Sequence, residues 1–269
     1  MKLYLDYLRL EYLPTSLVVY LGVICSLFGL VMGSALNCRA YRIANKKSWT
    51  RGHSICPKCH HELRAKDLVP LFSYIFLGGK CRYCKTHIPI RYPLTELILA
   101  VCYTALLFRF DLTLQTVVCM ILVSCLFTLS LIDLDTQTIP DRFLIIPAVF
   151  RIAQLICEGG FSALWRALIP ALVIGGGVLL LSLAMDKLLK KESMGGGDIK
   201  LLFVLGLFFT LPECLLLLLI SCVIGLVMAA MLVRMKSGKA FPFGPAISIA
   251  AFIVLICGEA VTTWYLGLF

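Results

Sequence analysis

An all-α, polytopic membrane helical bundle carrying a small metal-binding loop is the fold class the sequence predicts, and three observations predict it. The first is composition: of 269 residues, 60% are hydrophobic and 15% charged, where a soluble domain carries about 25% charged. The second is grouping. The apolar residues are gathered into uncharged blocks, many approaching the roughly 18 residues that read as a spanning helix, and a helix satisfies its own backbone polar groups in lipid. The third is charge asymmetry: the formal net charge of +10 falls almost entirely in loops that share one side.

Eight candidate spans follow along the chain, near Ser16–Cys38, Pro93–Phe108, Leu112–Ile132, Arg142–Cys157, Leu164–Met185, Ile199–Leu211, Pro212–Val233 and Gly244–Leu266. The second, fourth and sixth are short or interrupted, which sets the range at six to eight; Ile199–Leu211 is short enough to be re-entrant. Ahead of the first span, Leu3–Leu13 reads as an amphipathic segment on the bilayer surface. The acidic residues Asp6 and Glu11 and the length of the block that follows argue for a retained anchor over a cleavable signal. Placing the Arg39–Arg91 loop in the cytoplasm leaves Lys2, Arg9, Arg109, Arg151 and Arg166 outside and the other 20 of the 25 Lys and Arg residues inside. That is the positive-inside pattern, with both termini outside. The chain thus divides into residues 1–38 (first span), 39–92 (cytoplasmic loop domain) and 93–269 (a transmembrane domain). The basic face is expected to meet anionic lipid and no nucleic acid.

The thirteen cysteines form two populations. Nine sit in or at the ends of spans, where they act as small apolar side chains. The other four form Cys56-Pro-Lys-Cys59 and Cys81-Arg-Tyr-Cys84, two CxxC pairs with 21 residues between them. Two such knuckles complete a tetrahedral zinc site, although the separation slightly exceeds the usual range of about 15–20 residues. A reducing compartment argues against disulfides; four free thiols are the plain alternative. His53, His60, His61 and His87 lie nearby and are read as loop residues. A four-sulfur site has no open position, so the expected Zn2+ is structural: it supplies folding energy that a loop without a core of its own lacks.

Carboxylates are scarce, and at a membrane edge they are expensive and tend to be functional. Asp133 ends one apolar span and Asp198 begins another at the same face, so topology puts both at one depth. Two carboxyl groups brought together cannot both ionise cheaply and share a proton. Such a pair can hydrolyse a peptide bond without a side-chain nucleophile: one carboxylate takes a proton from water while the other, protonated, polarises the carbonyl. The glycines of Gly195-Gly-Gly197-Asp198 would let an extended substrate backbone approach closely. Asp198 and Asp141 each also stand where a helix N-cap belongs. Asp135 reads as a solvated carboxylate, and Lys200 as reaching the interface or tuning Asp198.

The motifs together resemble those of the bacterial type IV prepilin peptidases, aspartyl proteases of the Gly-x-Gly-Asp membrane class. The resemblance runs through Gly29-x-x-x-Gly33-Ser34 with Asn37, the two CxxC pairs, Leu63-Arg64-Ala-Lys-Asp67-Leu68-Val-Pro70-Leu-Phe-Ser73-Tyr74, Arg91-Tyr92-Pro93-Leu94-Thr-Glu96-Leu97, Ile132-Asp133-x-Asp135 with Pro140-Asp141, and Gly195-x-Gly197-Asp198. It departs at Ala35-Leu36-Asn37-Cys38, where Phe-Leu-Asn-Val is common. The resemblance implies that Asp133 and Asp198 are the catalytic aspartates, supported by Gly195 and Gly197. It implies as substrate a prepilin or pseudopilin whose short basic leader is cut after its terminal glycine at the cytoplasmic surface of the inner membrane. It also implies N-methylation of the new terminus with S-adenosylmethionine, with residues 39–92 as the zinc-binding, methyltransferase-associated domain, 93–269 as the aspartyl peptidase domain, no residue assigned to that donor, and a peptidase lacking methyl transfer as the alternative. Asp67 and Glu96 are expected to meet the basic leader.

Two readings from other classes compete. A proton-coupled transporter using the same aspartates needs carboxylates near mid-membrane and an inverted repeat, and no repeat is visible. A membrane-anchored zinc module that recruits a partner or nucleic acid needs stacked aromatic and basic residues, for which Trp49, Tyr74 and Tyr83 are thin support.

Overall fold

The computed structural model describes residues 9–48, 54–56, 58–190, 194–234 and 242–268. Eight α-helices are described: α1 (Thr15–Ala44), α2 (Phe72–Phe76), α3 (Arg91–Phe110), α4 (Leu114–Thr136), α5 (Arg142–Leu189), α6 (Gly196–Gly206), α7 (Leu211–Arg234) and α8 (Gly244–Leu266). The described residues form no sheet; strand pairing is limited to two isolated bridges, Ile55 with Glu62 and Lys80 with His87. Of the Leu3–Leu13 segment, only the part from Arg9 onward lies among the described residues, with a 3-10 turn at Leu10–Tyr12.

Among the described residues six helices, α1, α3, α4, α5, α7 and α8, are long and apolar enough to cross a membrane. The chain is a multi-pass membrane protein with the predicted helical architecture. At 48 residues α5 would run about 72 Å if straight, more than twice a hydrocarbon core of about 30 Å. It is broken at Gly160, where φ +63° and ψ −155° suit only glycine. The fourth and fifth predicted spans are its two arms. The sixth predicted span is α6, whose 11 residues rise about 16 Å and do not reach across the core.

The chain divides into two compact units, residues 1–116 and 117–269. In the first, α1 and α3 pack with their backbones in close approach. A Cβ placed on Gly29 would stand 2.6 Å from the Ala100 Cα, and one on Gly33 would stand 2.8 Å from the Glu96 Cα. Small residues spaced by four are the usual means of such contact, because lipid supplies no hydrophobic force between helices. Gly33→Leu is therefore expected to cost about 1–3 kcal/mol by overpacking. Gly176, where an added Cβ meets nothing within 4 Å, is the control for a leucine scan by thermal denaturation in detergent.

In the second unit α6 is held through its C-terminal half. Gly206 packs on Ala171 of α5, and Phe203 packs on Gly175. At its C-terminal end the Leu207 carbonyl accepts from Arg151 Nε at 3.1 Å. Arg151 also donates to Gln154 Oε1 at 2.9 Å and lies over the Phe208 ring, 5.3 Å from its centroid. A cation at the last carbonyls opposes the negative end of the helix dipole. The short helix is thereby fixed with its opposite end, which carries Asp198, at the site.

Candidate active site and metal loop

Asp133 lies in the last turn of α4 and is 5% exposed. Its Oδ2 accepts the Gly244 N–H at 3.1 Å, from the first turn of α8. Ser248, one turn further along α8, donates to the Leu126 carbonyl at 3.4 Å, so two bonds hold the start of α8 to α4. Gly244 has no room for a side chain: an added Cβ would stand 2.7 Å from the Asp133 Oδ2. Pro245 follows it inside the first turn, where a missing N–H costs nothing.

Asp198 occupies the first turn of α6, whose N-cap is Gly195. The capping role considered for Asp198 is therefore not the one it plays. Its Oδ1 is buried and has no hydrogen-bond partner, a costly state for a carboxyl oxygen unless another group or water serves it. Ile139 links the place of Asp198 to that of Asp133. Its side chain stands 3.0 Å from where a Gly197 Cβ would be and 3.5 Å from where a Gly244 Cβ would be. The structure thus brings together Asp133, Asp198, Gly197 and Gly244. Around Gly196 an added Cβ meets nothing within 4 Å; at Gly197 the close neighbour is Ile139.

The other acidic candidates fall elsewhere. Asp141 stands at the N-cap of α5 but its side chain makes no capping bond; instead it accepts from Lys200 Nζ at 2.8 Å. Both side chains are more than half exposed, so this pair contributes little. Lys200 is directed to Asp141. Asp135 is exposed. Gly244 was missed in the sequence, although Gly-Pro directly before an apolar span marks a helix start.

In the first unit, the four sulfurs of Cys56, Cys59, Cys81 and Cys84 lie within 4.8 Å of one another. The two knuckles repeat one hydrogen-bond pattern. Cys56 N donates to His61 O at 3.0 Å and His60 N to Cys56 O at 2.9 Å; Cys81 N donates to Thr86 O at 2.8 Å and Lys85 N to Cys81 O at 3.0 Å. Just outside, Leu63 N bonds Ser54 O and Ile88 N bonds Gly79 O. His60 and Lys85, at matching positions, both have positive φ, 56° and 57°. The Cys56 and Cys84 sulfurs are 3.8 Å apart, the edge of a tetrahedron with bonds of about 2.3 Å, as zinc–thiolate sites have.

The protonation of these sulfurs suits a cation. The Thr86 hydroxyl and N–H push Cys84 down to about 6. Burial raises Cys56, but backbone N–H groups of Cys59 and Lys58 outweigh it and lower the thiol. The His61 N–H lowers Cys59, yet burial and the sulfurs of Cys56 and Cys84 raise it to about 11. The set does not ionise together unless positive charge joins it. The four cysteines therefore fit zinc. His60, His61 and His87 are not among the grouped donors, and His53 lies outside the described residues.

Asp67 is engaged within the loop and Glu96, on α3, by the loop's Leu71 amide, in place of the leader contact expected of them. Asp67, its side chain 3% exposed, pairs with Arg82 at 2.5 Å. It also accepts from the Tyr83 hydroxyl at 3.1 Å and Arg64 N at 3.2 Å. Burial raises its pKa, but the Arg82 side chain, the Arg64 N–H and the Tyr83 hydroxyl outweigh that and hold it below the usual carboxylate range. The tie is intact above the ordinary carboxylate pKa and is lost only as pH falls through the lowered value. Glu96, 8% exposed, accepts the Leu71 N–H at 2.7 Å. The reason is physical: a buried carboxylate is taken by the nearest donors, and those come from this chain.

Residues 120–230 match the model of the type IV leader peptidase family, and residues 27–110 match that of the bacterial peptidase A24 N-terminal domain. A prepilin leader peptidase/N-methyltransferase of Neisseria gonorrhoeae is 33% identical, over 90% of this chain and 94% of its own. One of Pseudomonas aeruginosa is 34% identical over 96% of this chain and 97% of its own. One of Bacillus subtilis is 29% identical over 89% of this chain and 96% of its own. The chain belongs to the type IV leader peptidase family. No solved structure matches it. As a leader peptidase family member it is an enzyme, and the transporter and recruitment readings fall away.

Proposed function

We propose that this leader peptidase removes the short basic leader of prepilin-like precursors at the cytoplasmic face of the inner membrane, with Asp133 and Asp198 as its catalytic pair. The observation that carries the reading is the convergence of two carboxyl groups from separate helices. One is held by the Gly244 N–H, and the other has a buried oxygen with no partner. Water between them gives its proton to the ionised carboxyl and attacks the carbonyl that the protonated one polarises. The roles exchange as the amine leaves, so one proton serves both steps. Gly195 and Gly197 support the turn that places Asp198. A precursor presents its scissile bond beside its own apolar helix, and carboxylates at helix ends of equal depth reach that bond without unwinding the helix.

The loop of residues 39–92 is the zinc domain of the proposal, between the first span (1–38) and the peptidase domain (93–269). Cys56, Cys59, Cys81 and Cys84 would hold the ion, whose closed sulfur shell supplies folding energy and no chemistry to the substrate. Cys81→Ser is expected to reduce zinc from one ion per chain to near none and to expose the loop to limited proteolysis, read by mass analysis of metal and fragments. A loop equally resistant without metal would refute the structural role.

S-adenosylmethionine is the proposed co-substrate for N-methylation of the new terminus, supported by the names of the relatives. The deciding experiment combines purified protein in detergent, a prepilin-type precursor and S-adenosylmethionine, with mass spectrometry of the product. A product without its leader and heavier by one methyl group supports both activities; an unmethylated product leaves a peptidase alone. No cleavage of several precursors, with Asp133→Asn indistinguishable from the parent, would overturn the proposal.

A further inference from the structure

We propose that the segment Leu68–Leu77, with α2 at its centre, is a membrane anchor: it lies in the leaflet on the metal-loop side and buries Phe72, Ile75 and Phe76 among phospholipid chains.

Depth is the first argument. The Leu71 amide donates to Glu96 Oε2 at 2.7 Å, and this bond sets the level at which α2 begins. Glu96 stands five positions into α3, about 7.5 Å beyond the helix's first residue, Arg91. On the other side, Gly33 of α1 approaches the Glu96 backbone. Gly33 precedes Arg39, the first basic residue toward that end of α1, by six positions, or about 9 Å. Both helices therefore place the start of α2 inside the apolar layer rather than above its basic edge.

Exposure is the second. At that level Phe72 is 46% exposed, Ile75 62% and Phe76 85%. Leu94, Leu97, Ile98 and Val101 on α3 are likewise exposed, so a spanning helix of the same unit also presents an apolar face. The run Leu68–Leu77 holds one hydroxyl residue besides Tyr74, and Tyr74 turns inward to the Ile88 carbonyl. Ten residues are too few to cross a bilayer and suit an interfacial or re-entrant segment. Exposed Lys80 follows it, suitably placed for anionic headgroups.

The third is conformation. Leu71 has φ +58°, a sparsely populated region that costs an L-residue about 1–3 kcal/mol. Such a residue persists where its surroundings over-determine it, and here the strained residue is the one whose amide is tied to Glu96.

The test places tryptophan at Phe76 (Phe76→Trp), with Trp49, Trp165 and Trp264 replaced by Phe, in vesicles of phosphatidylethanolamine and phosphatidylglycerol. Lys66→Trp in the same background is the aqueous reference. Bromine on the acyl chains is expected to cut Phe76→Trp emission by at least half and leave Lys66→Trp nearly unchanged, with iodide in the water doing the reverse. Ile75→Trp repeats the measurement, and unchanged zinc content reports that the loop is folded. Three outcomes overturn the proposal. Quenching by iodide at both reporters puts the segment in water. Protection from iodide only after addition of a precursor assigns the face to substrate. Protection that disappears as protein is diluted into more lipid assigns it to a second copy of the chain.

Discussion

Asp133→Asn and Asp198→Asn are each expected to lower precursor cleavage by about a thousandfold or more, whereas Asp135→Asn and Asp141→Asn retain most of the activity. Positioned proton transfer contributes roughly 10²- to 10⁴-fold, and a dyad loses both of its transfers when one carboxyl becomes an amide, because the roles must exchange within one turnover. Asparagine at 133 still presents an oxygen to the Gly244 N–H, 3.1 Å away in the parent, so the fold should tolerate it. At 198 the buried oxygen that lacks a partner remains an oxygen or becomes an N–H of the same size. Loss of kcat with unchanged thermal stability would therefore report chemistry. Asp141 pairs with Lys200 and Asp135 is exposed, so neither shares the buried setting of the proposed pair. Full activity in either Asn variant of the pair would remove the mechanism.

The spans could be read from sequence because lipid admits few solutions: a long uncharged block must be helical. The placement of the two aspartates was legible for a related reason, since each stands where an uncharged block ends or begins on the same face. The knuckles were legible because CxxC spacing is local, and their shared backbone pattern adds only what the turn already requires. Partners set by tertiary packing were not legible. Asp67 and Glu96 read as free carboxylates because Arg82 and the Leu71 amide, 15 and 25 positions away, carry no spacing signal toward them. The break in α5 was visible as an interruption between two apolar blocks. That the helix runs unbroken to Gly160 and resumes at once follows from a single positive φ, which no periodicity records.

Gly244 is the sharpest case, because its partner lies 111 positions away, and it makes the second large prediction. Gly244→Ala should lower kcat by about 10²-fold with little change in KM. The new methyl carbon would stand 2.7 Å from the Asp133 Oδ2 and 3.3 Å from its Cγ, so either the carboxyl or the start of α8 must move. A shift of about 1 Å in a reacting group costs on the order of 10² in rate, and the same methyl threatens the N–H bond that orients Asp133. Overpacking adds about 1–3 kcal/mol of instability, so the rate must be compared with a variant of equal stability loss. Gly33→Ala serves, since it crowds the Glu96 backbone in the other unit. If Gly244→Ala and Gly33→Ala lose stability alike but only the first loses turnover, Gly244 acts on the aspartate. Equal turnover in both would reduce Gly244 to a packing residue, and the convergence of α4, α6 and α8 would no longer distinguish Asp133 from any buried carboxyl.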